Sequence, residues 1–442
     1  MNRLKNLFTY PGALFGLLGP IPSVPLQTQS IVIMKTSTSR RTRLFFASTA
    51  LGLTLTLAAS LSIVLSPARG LSQAPATGAA LARLDSAPRS AAAKPAAPVV
   101  QLVLLLDTSN SMDGLIEQAK SQLWKIVNEF ISAKQNGQRP DLQVALFEYG
   151  KSSLSSKDGY IRLVQPLTND LDKISEELFA LRTNGGEEYC GWVIQEAVKR
   201  LAWDPSGNAY KAIFIAGNEP FTQGPVSYVA ACKAAIEKGI IVNTIHCGSE
   251  REGVATKWQN GAVLAEGKYM VIDQNRAVVH VEAPQDKDIA ALGVALNKTY
   301  VGYGASGALN LERQSSQDAN STALAPQGSA VQRSLFKASG QYRNDTWDLV
   351  DARREGKVKL NELKPADLPD EMKKMTVTEQ QSYLDAKAQE RAKLQQEIAR
   401  LNGERARYLA QQTQPSASTN TLDSVVISAI REQAGKRNYR FE

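Results

Sequence analysis

The chain has 442 residues, of which 43% are hydrophobic and 21% are charged, and this composition is typical of a globular protein rather than a disordered one. Seven of the eight excess positive charges lie in the first 70 residues, which contain no Asp or Glu, so the rest of the chain is close to neutral. Nucleic-acid binding needs a basic face on the folded protein. The net charge of +8 therefore does not indicate a nucleic-acid partner.

Residues 1–70 are predicted to direct export. A basic segment, 35–43, precedes a 22-residue apolar run, 44–65, and small residues follow it, as in a secretory signal peptide. The run is also just long enough to cross a bilayer, so a cleaved signal peptide and an uncleaved N-terminal anchor both remain open. Either one predicts a protein of the periplasm or cell envelope, whose membrane contact would be restricted to an inner-membrane anchor.

Residues 71–97 are rich in Ala, Pro and Ser and predict a flexible tether. From residue 98 to 302, apolar strands alternate with amphipathic helices. The strands are predicted over 99–107, 142–149, 160–164, 212–216, 240–246 and 269–272. The helices are predicted over 111–132, 171–181, 189–201, 226–238, 255–265 and 286–300. This alternation predicts an α/β domain with a doubly wound, mostly parallel sheet and helices on both faces.

The remainder of the chain divides into a predicted flexible linker, 303–332, and a helix-rich C-terminal region, 333–442. The linker is predicted because its residues are mostly Gly, Ser, Ala, Asn and Gln. In the C-terminal region, short helices are predicted over 345–355 and 422–433.

A long helix is also predicted in the C-terminal region, opened by a capping box of Thr376 and Glu379 and ending near residue 411. Its apolar residues recur at a spacing of three and four, but Arg391 and Arg405 interrupt the stripe. A strong coiled coil is therefore not expected. The stripe either packs on the main domain or on another helix of the tail, or it serves to bind a partner or a second copy.

The first predicted strand ends at Asp107, which opens the sequence Asp-Thr-Ser-Asn-Ser. A carboxylate and two hydroxyls, from Asp107, Ser109 and Ser111, can converge on one hard divalent cation. The carboxyl ends of parallel strands meet at one edge of a sheet. The loops at 183–190 and 217–221 are predicted at this same edge.

With this motif and this alternation of elements, residues 98–302 resemble the von Willebrand factor type A domain. In that family, the first-strand motif supplies three oxygens of a metal-ion-dependent adhesion site, a Gly-Gly-x-Thr loop supplies a fourth ligand, and a Thr-Asp-Gly turn supplies an acidic fifth. The first motif is intact here, but Glu188 stands at the position of the Thr and Gly217 at that of the Asp.

The resemblance implies a variant metal site formed by Asp107, Ser109, Ser111, Glu188 and Asn218. The expected cation is Mg²⁺, with Mn²⁺ or Ca²⁺ as alternatives. A vestigial site, in which Asp107 merely caps the following helix, remains open.

The resemblance also implies a partner. Because such sites are left one ligand short by their own protein, a carboxylate of an envelope or surface protein is expected to complete the shell. The predicted contact surface is the rim formed by Asp107, Ser111, Glu188, Asn218 and Glu219. The oligomeric state is not predicted.

Cys190 and Cys247 are both predicted near this edge, and an exported protein permits a disulfide between them. Unpaired thiols, or a pair that includes Cys232, remain open. His246 and Cys247 are not expected to form a catalytic pair, because adjacent side chains of a strand point to opposite faces. With two histidines in the chain and no ligand spacing, a zinc site is not expected either.

The sequence therefore predicts a non-catalytic, exported interaction module rather than an enzyme. One alternative is a structural scaffold with an inert metal site that binds through its C-terminal helices. A metal-dependent hydrolase, in which Asp107 and Glu188 act on a bound water, is a further alternative. The sequence contains neither a nucleophile elbow nor a phosphate-binding glycine loop, so it gives this alternative no support.

Overall fold

A computed structural model of the chain describes residues 97–324, 328–412 and 421–441. The predicted leader and nearly all of the predicted tether lie outside the described residues. Among the helices in the described ranges, none combines the length and the apolar character that crossing a membrane requires.

Six strands form one sheet, namely β1 (Val99–Asp107), β3 (Asp141–Tyr149), β4 (Ile161–Thr168), β5 (Tyr210–Gly217), β6 (Ile241–Cys247) and β7 (Tyr269–Ile272). Their order across the sheet is β4-β3-β1-β5-β6-β7. Every neighbouring pair is parallel except β3 and β4, which are antiparallel. The predicted fold class, a mostly parallel α/β sheet, is confirmed.

Helices cover both faces of this sheet. They are α1 (Asp113–Asn128), α2 (Leu171–Ala180), α3 (Cys190–Arg200), α4 (Tyr228–Glu237), α5 (Glu250–Ala255), α6 (Trp258–Leu264) and α7 (Asp286–Asn297). Helices α3, α4 and α6 contribute to the core on one face, and α1, α2 and α7 to the core on the other. Along β1, Val100 and Leu102 face the second core while Val103 and Leu105 face the first. Burial on both faces explains why the strand is a continuous apolar run.

The prediction of a flexible linker over 303–332 is wrong for the residues that are described, because most of them form α8 (Gly307–Ala323) and the first turn of α9 (Ser329–Ala338). The polar side chains that suggested a linker make interior hydrogen bonds instead. Gln317 accepts a bond from Ser175 of α2 (2.9 Å), and Gln314 donates one to the hydroxyl of Tyr342 (3.0 Å). Composition alone does not distinguish such a helix from a linker.

The C-terminal region adds α10 (Leu349–Arg354), α11 (Val377–Gln412), α12 (Leu422–Gly435) and the short strand β8 (Tyr439–Phe441). β8 pairs antiparallel with β2 (Ala133–Gln135), which directly follows α1. Val426 and Ile430 of α12 are buried in the same core cluster as α1. Residues on both sides of position 302 thus share one core.

Candidate metal centre

Asp107 ends β1 between the two neighbouring strands β3 and β5, at the carboxyl edge of the sheet. Its side chain is buried, and its Oδ1 accepts a hydrogen bond from the backbone N–H of Ser109 at 2.8 Å. Its Oδ2 is also buried and has no hydrogen-bond partner among the described residues. A buried carboxylate oxygen without a partner is costly, which makes this atom the strongest indication of an absent ligand.

The two serines of the motif add hydroxyl oxygens to this site, one of them buried and the other at the surface. Ser109 is buried and Ser111 is exposed, and their Oγ atoms lie 3.3 Å apart. Ser111 also donates to Oδ1 of Asn218, at 3.5 Å. The first and third loops therefore meet at their side-chain oxygens.

The second loop brings Glu188 to the same place. Asn184 of this loop donates its N–H to the carbonyl of Thr108 (2.9 Å), and a Cβ at Gly186 would lie 1.9 Å from the carbonyl oxygen of Gly150, so only glycine fits there. A Cβ built on Gly150 would lie 2.8 Å from Cγ of Glu188 and 2.9 Å from Oδ1 of Asp107. The side chains of Asp107 and Glu188 thus meet next to Gly150.

The third loop has no room for a side chain at Gly217, where the resemblance would place an aspartate. A Cβ at this position would lie 2.6 Å from Oη of Tyr149 and 3.0 Å from Oδ2 of Asp107. Tyr149 is buried and donates its hydroxyl to the carbonyl of Ala216 (3.0 Å). The tyrosine therefore fills the space that an aspartate at 217 would need. Sequence reasoning missed Tyr149, because an aromatic residue at a strand end is ordinary core.

The electrostatics of the centre favour a cation. Burial raises the pKa of Asp107 to about 7, against the opposing hydrogen bonds from Ser109. Burial and the negative charges of Asp107 and Glu219 raise the pKa of Glu188 to about 8. A divalent cation would offset this repulsion and favour both ionised forms.

The donor set fits a hard cation, since carboxylate, hydroxyl and amide oxygens are the ligands that Mg²⁺ and Ca²⁺ prefer. Over the described ranges, no three His, Cys, Asp or Glu side chains are grouped to hold a metal. A cation at this centre would therefore depend on the serine and asparagine oxygens as well as on Asp107 and Glu188.

The proposed disulfide between Cys190 and Cys247 is absent, because all three cysteines are free and buried. Cys190 belongs to the core on one face of the sheet and Cys247 to the core on the other, so the sheet separates their side chains. Burial raises the pKa of each thiol. His246 packs beside Trp258, on the face opposite Cys247, with 5.7 Å between ring centroids. The expectation that His246 and Cys247 point to opposite faces is confirmed.

Comparison with known families matches residues 101–259 to the von Willebrand factor type A domain. Several solved structures resemble part of the chain. The conserved hypothetical protein BatB from Bacteroides thetaiotaomicron is 21% identical, with 39% of this chain and 90% of that chain covered and a TM-score of 0.30. The VWA domain of SpRpn10 is 17% identical, with 39% and 88% covered and a TM-score of 0.30.

Proximal thread matrix protein 1 from the mussel byssus, solved with a zinc-occupied MIDAS motif, is 14% identical to this chain. The match covers 40% of this chain and 42% of that chain, with a TM-score of 0.30. No curated protein sequence matches the chain.

Proposed function

We propose, from the match of residues 101–259 to the von Willebrand factor type A domain, that the chain is an exported interaction module that binds a protein partner through a divalent cation. Domains of this family are mainly interaction modules. The observation that carries the proposal is the buried, unpartnered Oδ2 of Asp107, a residue whose carboxyl group meets the side chain of Glu188 next to Gly150.

Asp107 and Glu188 would supply the negative charge that holds the cation, and Ser109, Ser111 and Asn218 would supply neutral oxygens. Mg²⁺ takes about six oxygens, and Mn²⁺ and Ca²⁺ accept similar donors. These five side chains therefore leave room for an outside ligand, and exposed Ser111 marks the side from which it would enter. The ligand that fits is a carboxylate of an envelope or surface protein, with Glu219 at the edge of the contact surface.

The metal part of the proposal is tested by isothermal titration calorimetry of the purified chain with Mg²⁺, Mn²⁺ and Ca²⁺. We expect saturable binding of at least one cation, lost in Asp107→Ala and weakened in Glu188→Gln. Asp158→Asn, which changes an exposed acid outside the centre, is the matched control. Absence of binding in the unaltered chain, or equal binding in the Asp107→Ala variant, contradicts a metal-assisted function.

The partner is tested by capture from an envelope extract, with and without EDTA. We expect a protein that binds the unaltered chain, is released by EDTA, and is not retained by Asp107→Ala. Replacing one acidic residue of the captured protein by its amide should then abolish binding. Capture that is indifferent to both EDTA and the Asp107 substitution would refute the proposed contact.

Export rests on the sequence of residues 1–70 and is proposed with the function. Cell fractionation of the tagged chain should place it in the periplasm or with the inner membrane. Recovery in the cytoplasm would remove an envelope protein as the partner.

A further inference from the structure

A second candidate binding site lies at the opposite edge of the sheet from the metal centre. It is a cavity of about 480 Å³ whose lining includes Ala97 and Pro140. Ala97 lies shortly before the start of β1, and Pro140 directly precedes β3. Asp107 lies at the other end of β1, which at about 3.3 Å per residue is roughly 26 Å away. The cavity is therefore independent of the metal centre.

Arginine dominates the charge of this cavity. Arg139, Arg343, Arg354 and Arg391 line it, and they come from four separate segments of the chain. Two carboxyl groups accompany them, those of Asp351 and Glu355. Asp141 and Asp348 pair with Arg343 and Arg391 from outside the lining, so the attraction for an anion rests on Arg139 and on unused guanidinium donors rather than on net charge.

Arg391 forms a wall of the cavity and is not free to bind a ligand. Its guanidinium is buried and donates to the carboxylates of Asp348 (2.7 Å) and Asp351 (2.9 Å). Its remaining N–H groups donate to the hydroxyl and carbonyl of Thr299 and again to Asp348. Every guanidinium N–H is thereby used.

The other three arginines are partly exposed and retain unused donors. Arg343 gives one hydrogen bond to Asp141 (2.8 Å). Arg354 contacts Asp351 and Glu355, each at 3.2 Å. An arginine offers five N–H groups in a planar fork, so both can still bind an anion.

Arg139 is exposed and makes no hydrogen bond or ion pair with any residue in the described ranges. Nη1 of Arg139 lies beside Gly340, where a Cβ would displace only the end of this flexible side chain. Arg139 therefore lies along the wall of the cavity.

We propose that this cavity binds a phosphate-bearing ligand through Arg139, Arg343 and Arg354. Arginine forks from several directions match the oxygens of a phosphate group. The volume is far larger than one phosphate needs, and Tyr300, Pro140 and Ala338 offer apolar surface to an attached organic body. A soluble phosphate ester and a phospholipid headgroup share this chemistry.

The test is calorimetric titration of the full chain, in phosphate-free buffer, with inorganic phosphate and with glycerol phosphate. We expect saturable binding that weakens roughly tenfold in Arg139→Gln, since this substitution removes a charge-assisted contact. Arg251→Gln, at an exposed arginine outside the cavity, should leave the affinity unchanged. Absence of saturable binding, equal affinity in Arg139→Gln and Arg251→Gln, or equally tight binding of succinate would overturn the proposal.

Two further arms separate the sources of the phosphate and the two sites of the molecule. Binding to phosphatidylglycerol vesicles that requires Arg139 supports a lipid headgroup, whereas Arg139-dependent binding of glycerol phosphate without vesicle binding supports a soluble ester. Asp107→Ala should bind phosphate normally. Loss of phosphate binding in Asp107→Ala, with the fold intact by circular dichroism, would contradict a separate site.

Discussion

A side chain at position 217 would occupy the volume beside Asp107 that the Tyr149 hydroxyl fills. The Tyr149 hydroxyl holds the carbonyl of Ala216, and its Oη lies 2.6 Å from where a Cβ at 217 would stand. The glycine at this position is thus coupled to the tyrosine of the neighbouring strand. A residue 68 positions earlier in the sequence thus excludes a side chain at position 217.

We expect Gly217→Ala to lower the free energy of unfolding by about 1–3 kcal/mol, because the added methyl group overpacks a buried position. In a Tyr149→Phe background the same substitution should cost less, since the clashing oxygen is gone. Urea denaturation of the two single variants and the double variant measures this as a coupling of about 1 kcal/mol. Strict additivity would show that the tyrosine does not exclude a side chain at 217.

At the scale of elements, the buried face of α11 depends on arginine. Arg391 and Arg405, which interrupt the apolar stripe, both lie on the buried side of the helix. Arg391 pairs with Asp348 and Asp351, and Arg405 pairs with Asp286 at 2.6 Å. The stripe thus packs on the body of the protein through ion pairs as well as through Leu384, Ile398 and Leu401.

Replacing Arg391 by Met should destabilise the protein by about 3–5 kcal/mol, because it leaves buried carboxylates without their partner. Arg400→Met is the matched control on the same helix. Arg400 is exposed and pairs with the partly exposed Glu397 and Glu404, so its loss should leave the free energy of unfolding nearly unchanged. Guanidinium denaturation measures both variants, and an equal loss in the two would contradict the buried-pair explanation.

Asp286, at the start of α7, should give the ion pair with α11 a pH dependence. Burial by itself would raise the pKa of Asp286, but hydrogen bonds from Arg405, the Ala283 N–H and His280 outweigh it and hold the pKa below its ordinary value. The carboxylate is therefore ionised more readily in the folded chain than in the unfolded chain. Its stabilising effect is fully present above the ordinary pKa near 4, and it is lost as the pH falls through the lower pKa of the folded chain.

The stability difference between the unaltered chain and Asp286→Asn should therefore be largest above about pH 5 and shrink as the pH is lowered toward 3. Asp288→Asn, an exposed acid in the same helical turn, should show no such trend. Thermal unfolding across this pH range measures both variants. A difference that grows on acidification would contradict the assigned ion pair.

At the scale of the whole molecule, the C-terminal helices complete the core of the sheet domain. Trp124 of α1 packs against Phe336 of α9 (5.4 Å between ring centroids), and Phe130 packs against Phe441 of β8 (6.3 Å). Buried charges join the parts as well, since Arg333 of α9 pairs with Asp172 of α2 at 2.5 Å.

A chain that ends after Gly302 should therefore fail to form a stable fold, although it retains all six strands of the large sheet. It would expose the apolar face of α1 and leave Asp172 without Arg333. Soluble yield and near-ultraviolet circular dichroism, compared with those of the full chain, test this. A truncated chain with native-like spectra and cooperative unfolding would show that the C-terminal region is dispensable for folding.

The sequence by itself determined the sheet and one loop of the candidate centre. Apolar runs such as β1 and the amphipathic period of α1 are local patterns, so their positions and the α/β class followed directly. The Asp107–Ser111 motif follows a strand end, and its place at the carboxyl edge needed only the parallel topology. That these oxygens bind a cation stays a prediction.

The tertiary structure decided what depends on residues distant in sequence. No local sequence pattern reveals that the Tyr149 hydroxyl lies beside Gly217. The same is true of the separation of Cys190 from Cys247 by the sheet, and of the acidic partners of Arg391. The helix over 307–323 was missed for the same reason, since its polar residues are satisfied by Ser175 and Tyr342 in other elements. Hydrophobic periodicity indicates which side of an element faces the core. A buried polar or charged group, by contrast, is stable only beside its partner, and only the folded chain brings that partner to it.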